Sequence, residues 1–145
     1  MSLNSHRFAA IRGRQSGGEY YTVICEMNLI PKLFLFNEAT IPAELRSQRH
    51  LNKGRIPEMA RYITNNPKNY IFSALTASID GKVEFKPHKV NGNDSDIGEL
   101  IISGDAQLMI NDGQHRRAAI ERALGENPEI SKDSIAVVFF KDKGL

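Results

Sequence analysis

The sequence has no tryptophan, one cysteine and no apolar run of the roughly 18 residues that a bilayer-spanning helix needs. A lone Cys25 excludes an internal disulfide framework, and the N-terminus lacks the charged, apolar and small-residue order of a signal peptide. A reducing cytoplasm, with no membrane partner, is therefore the expected setting. Excess charge is also scarce. With 19 Lys and Arg against 17 Asp and Glu, the net value of +2 cannot argue nucleic-acid binding for the whole chain, so any such argument needs local clustering.

Clusters of opposite sign are present. From Arg46 to Arg61 the chain carries Arg46, Arg49, Lys53, Arg55 and Arg61, with His50, against Glu58 alone; from Asn93 to Asp105, Asp94, Asp96, Glu99 and Asp105 have no basic neighbour in the sequence. The acidic stretch lacks the late bidentate glutamate of a calcium loop, so it reads as a mobile loop over Pro87 to Asp96. His6, His50, His88 and His115 have no metal-ligand spacing, and no metal site is expected.

A chain of 145 residues fits one domain. The reading takes residues 1–18 as a flexible arm, with a cloning scar at 1–3, and residues 19–145 as a single domain that belongs to a longer protein. Tyr20 to Met27 is rich in aromatic and β-branched residues and reads as a strand. Leu29 to Phe36 reads as a short helix or irregular strand, and Pro42 to Arg49 as a short helix. Ile56, Met59, Ala60 and Ile63 recur at helical spacing after Gly54, with Pro57 tolerated in the first turn and Asn65-Asn66-Pro67 as the stop. Tyr70 to Ile79 reads as a strand that returns through an Asp80-Gly81 hairpin to Val83–Phe85. A second hairpin is expected around Ser103-Gly104-Asp105. Ile135 to Phe140 reads as a buried strand. These elements predict an α+β fold, a mixed β-sheet with hairpins and packed helices.

The organising stretch is Asn111-Asp112-Gly113-Gln114-His115-Arg116-Arg117, between the apolar run 108–110 and a helix expected to end at Gly125. Gly113 supplies the turn and Asp112 a cap. Two arginines and a histidine then sit at the positive end of a helix dipole, an arrangement that an anion would relieve. Backbone N–H groups of Gly113 to His115, the Arg116 fork and a His115 hydrogen bond are the expected anion ligands, and Gln114 shares the turn. Solvated surface is the bland alternative. Arg117 either faces solvent or joins the DNA contacts, since successive helical residues diverge by about 100°. For the basic stretch, a solvated helical face and DNA phosphate contacts by Arg49, Lys53 and Arg55 both stand, and Arg55 could instead fold over the motif near Asp112.

Asp112 to Arg116 is the motif that names the DGQHR-domain proteins, and with its flanks it resembles the DndB family of regulators of bacterial DNA phosphorothioation. The upstream stretches Arg49–Ile56 and Tyr70–Ser78 carry the same resemblance, which covers most of the chain from about residue 20. More distantly, Gly113, His115, Arg116, Ala118 and Ala119 resemble the phosphate-binding box of the ParB and sulfiredoxin superfamily. The resemblance implies a ParB/sulfiredoxin-like domain in a DNA-binding transcriptional repressor, with DNA as partner. A nucleotide, as a nucleoside triphosphate with Mg, and homo-oligomerisation are left open. It also admits a ParB-like nucleotide hydrolase or DNA-nicking enzyme acting at the motif. Gln114 stands where the ParB box has glutamate and sulfiredoxin its cysteine, so metal-assisted hydrolysis is in doubt and sulfinic-acid repair is set aside.

Overall fold

Ser16 and Gly17 both take positive φ, 55° and 80°. That conformation closes a two-residue antiparallel hairpin, here between β1 (His6–Gln15) and β2 (Gly18–Glu26), with Gln15 opposite Gly18. A computed structural model describes residues 4–34 and 54–141. The strands continue as β3 (Leu75–Asp80), β4 (Val83–Val90), β5 (Asn93–Ile102), β6 (Gln107–Asp112) and β7 (Ser134–Lys141). They form one seven-stranded sheet in the order β4-β5-β1-β2-β7-β3-β6. The sheet is mixed, because β3 runs parallel to β7 and antiparallel to β6. The fold is α+β, as expected from the sequence.

Several local expectations change. Residues 6–15, expected to lie in a loose arm, form a strand paired on both sides, with β2 and with β5. Burial of Ala10 and the contact of the Phe8 ring with Phe139 give this strand the apolar anchor that its short Phe8–Ile11 run did not advertise. Asp80-Gly81 does not make a hairpin: β3 and β4 are not neighbours in the sheet. Gly81, at φ 146°, packs against Ala106, so it marks a crossing rather than a return. Nor do β5 and β6 pair across Ser103-Gly104-Asp105. The hairpin lies instead in the segment read as a mobile loop, where Asn91 and Gly92 (φ 54° and 81°) turn β4 into β5.

By its internal packing the chain divides into two compact units. The sheet unit comprises Met1–Cys25, Ser73–Asp112 and Ser134–Leu145. Leu75, Ala77 and Ile79 alternate inward on β3, and Ile135, Val137 and Phe139 do so on β7. Burial of the larger of these side chains, all but Ala77, contributes roughly 1.5–3 kcal/mol each. The acidic residues near β5 find basic partners on β1, from which they are far apart in sequence: Arg7 pairs with Glu99 at 3.1 Å, and Asp96 receives both Arg12 and Arg14. Arg12 also lies 4.7 Å over the Phe85 ring.

The helical unit comprises Glu26–Phe72 and Gly113–Asp133. A 3-10 turn, Met27–Leu29, leads into the single turn α1 (Ile30–Leu33), with Pro31 in its first turn as its missing N–H permits. Helix α2 (Arg55–Asn65) buries Ala60 and Ile63 and stops at Asn66, as the spacing predicts. Helix α3 (Gln114–Glu126) buries Ala119, Ile120 and Ala123 and packs against α2. It runs past Gly125, the expected cap, to Asn127, whose side chain then caps the 3-10 turn Pro128–Lys132 by accepting from the Glu129 N–H. The expected helix over Pro42–Arg49 lies outside the described residues.

Candidate functional site

Strand β6 delivers the motif through an irregularity. Ala77 pairs with Ile110 and Thr76 with Asp112, so Asn111 is the extra residue of a β-bulge. The Ser78 hydroxyl donates to Asn111 Oδ1 at 2.7 Å and pins it. Asp112 is the exposed last residue of β6, and Gly113 takes the N-cap position with φ 110° and ψ 21°, in the left-handed region. The cap is thus the glycine and not Asp112: the sharp turn needs positive φ at the position where a side-chain cap would sit. The first turn of α3 closes with the Arg117 N–H donating to the Gly113 carbonyl at 2.8 Å.

Within the helical unit three of the expected site residues come together. Arg55 is the first residue of α2, and His115 and Arg116 are the second and third of α3. Burial lowers the His115 pKa below its ordinary 6.5, and the nearby positive charges of Arg55 and Arg116 push it lower still. The imidazole therefore stays neutral near pH 7 and presents a donor without adding charge. Two helix N-termini, two guanidinium groups and one imidazole form a locally electropositive setting suited to an anion. Arg55 is exposed, whereas Gln114, His115 and Arg116 are partly buried. The motif sequence offers a single carboxylate, Asp112, and the amide of Gln114, so its donor set fits an anion better than a hard cation. Among the described residues no three His, Cys, Asp or Glu side chains converge to hold a metal.

Arg117 differs from its neighbour. It is 8% exposed, where a solvent-facing or DNA-facing side chain was considered, and its Nε donates to the Phe34 carbonyl oxygen. Its Nη1 pairs with Glu121 at 2.7 Å, one turn along α3. Both partners lie inside the helical unit, so the side chain is spent on packing and is not free for a phosphate. Arg49 and Lys53 lie outside the described residues. Sequence reasoning missed Ser78 and Phe34; neither carries a local signal, since each acts through a partner far away in the chain.

The chain matches the model of the DndB family, described as DNA-sulfur modification-associated, over residues 8–145. The chain belongs to this family. Neither curated proteins nor solved structures gave a match. The DndB match includes most of β1, the bulge, the whole motif and both helices of the anion-suited cluster. Among the described residues no helix of this family member is long and apolar enough to cross a membrane.

Proposed function

We propose that this member of the DndB family is a DNA-binding regulatory protein of a bacterial DNA phosphorothioation system, a transcriptional repressor that grips a phosphate with its motif. The observation that carries the reading is the convergence of Arg55, His115 and Arg116 at the N-termini of two helices. Arg116 supplies a bidentate fork, His115 a directional donor, and the positive end of the α3 dipole, entered through Gly113 and Gln114, completes the cradle. Arg55 adds positive charge to the cluster, and Arg49 and Lys53 serve as further backbone contacts in this reading. Contacts of this kind position DNA without reading its sequence.

The test is binding of labelled duplex DNA by fluorescence anisotropy across a salt series, with and without nucleoside triphosphate and magnesium. Each lost phosphate contact lowers the slope of log affinity against log salt by about 0.9. Arg55→Ala and Arg116→Ala should each weaken binding to all sequences and flatten that slope. Unchanged affinity in both variants would remove the cluster from DNA binding. Triphosphate turnover that needs magnesium and disappears in Asp112→Asn would instead favour a nucleotide hydrolase.

A further inference from the structure

Two turns along α2 from Arg55 lies a set of aromatic rings that the phosphate reading does not use. Tyr62 is 42% exposed, and its ring stacks on Phe72 with centroids 6.2 Å apart and planes 20° apart. Tyr70 meets Phe72 edge-on at 6.1 Å and is tied from behind by its hydroxyl, which donates to Asp133 Oδ2 at 2.5 Å. The Tyr62 hydroxyl accepts the Ile71 N–H at 2.9 Å, and the Tyr62 carbonyl accepts Asn66 Nδ2 at 2.8 Å. The hydroxyl end of the ring is thus held, and the residue stays partly exposed. Ile71 beside it is 82% exposed. A pinned, exposed aromatic flanked by an exposed isoleucine is costly to leave in water, which marks a contact surface.

Charge selects the partner. Between Gly54 and Phe72 the chain carries Arg55, Arg61 and Lys68 against Glu58 alone, all four exposed. A neutral surface would make no use of this positive charge, whereas single-stranded nucleic acid is recognised by a basic track interleaved with aromatic faces. Arg55 and Tyr62 are seven residues apart on one helix, about 20° apart in angle and about 10.5 Å along the axis. That is about three steps at the 3.4 Å spacing of a stacked strand, and fewer for an extended one.

We propose that Tyr62, backed by Phe72, is a stacking platform for an unpaired base of single-stranded DNA whose phosphate backbone runs along α2 to the Arg55, His115 and Arg116 cluster. The proposal rests on the phosphate reading for one end of that track and adds a preference for unpaired DNA, because bases inside a duplex have no free face for the ring.

The experiment compares labelled oligothymidylate with duplex DNA of the same length, using the full chain. Because the sequence contains no tryptophan, intrinsic fluorescence comes from its four tyrosines, and stacking on Tyr62 should quench part of it. Tyr62→Leu should weaken single-strand binding by about fivefold to a hundredfold and abolish that quenching, with little change for duplex. Tyr62→Phe keeps the ring and gives up only the hydroxyl that accepts the Ile71 N–H, so it should lose much less affinity than Tyr62→Leu. Wild-type fluorescence that does not respond to oligothymidylate would overturn the proposal without any variant. Equal loss for single strand and duplex in Tyr62→Leu would overturn it too, and no binding to either would assign the patch to a protein partner. Arg55→Ala and Arg116→Ala separate the two readings: if both variants bind both DNAs as wild type while Tyr62→Leu loses the single strand, the phosphate reading fails and the platform stands. The converse result keeps the phosphate site and removes the platform.

Discussion

The guanidinium of Arg117 donates to the carbonyl oxygen of Phe34, 83 residues earlier in the chain, and also pairs with Glu121. Adjacent arginines of one motif therefore have different tasks: Arg116 stands in the anion-suited cluster, and Arg117 ties α3 to the end of the α1 segment. Removing Arg117 leaves a buried carbonyl and loses a charge-assisted bond, for which about 1.5–3 kcal/mol is usual. Arg117→Met should lower stability in urea unfolding by that amount. DNA affinity, measured where the variant is still folded, should stay near wild type, in contrast to Arg116→Ala.

His115 predicts a pH dependence. Its folded pKa lies below 6.5, so the unfolded chain takes up the proton first and stability falls as pH drops through 6.5 toward the folded value. His115→Gln should therefore lose less stability than wild type between pH 7.5 and pH 5.5 in thermal melts. An anion bound in the cluster opposes this shift by favouring the imidazolium. Phosphate or DNA should then bind more tightly at the lower pH, with proton uptake visible by calorimetry in two buffers, and His115→Gln should flatten both effects.

Two glycines separate folding from function. Gly113 sits at φ 110° in the motif turn, and alanine there costs about 1–3 kcal/mol of backbone strain. Because the strain falls on the turn that presents the first α3 N–H groups, Gly113→Ala should also weaken DNA binding. At Gly81 an added Cβ would come within 2.6 Å of the Ala106 Cβ, at φ 146°. Gly81→Ala should destabilise by about 1–3 kcal/mol and leave the affinity of the folded fraction unchanged.

Cys25 is 1% exposed, and burial pushes its thiol up to about 12. Almost no thiolate exists at pH 8, so native protein should react with a disulfide reagent only as fast as it opens. Reaction should become rapid in denaturing urea. Fast labelling of native protein would show that β2 opens locally.

Local chemistry made part of this molecule legible in the sequence. The strand, glycine turn and helix of the motif, the start and stop of α2, and the α+β class follow from φ restrictions, caps and apolar spacing, all of which act within a few residues. Sequence alone also placed Arg55 and His115 among the candidate ligands, with Arg55 either a DNA contact of the basic stretch or folded over the motif. Tertiary structure decided the rest. A turn dipeptide such as Asp80-Gly81 shows that the chain changes direction, but not which strand it will join, and β3 takes β6 and β7 as partners in place of β4. Residues 6–15 became an interior strand because partners as distant as Ile102 supply its hydrogen bonds. The burial of Arg117 was settled in the same way, by a carbonyl far away in sequence that only the packed helical unit brings within reach.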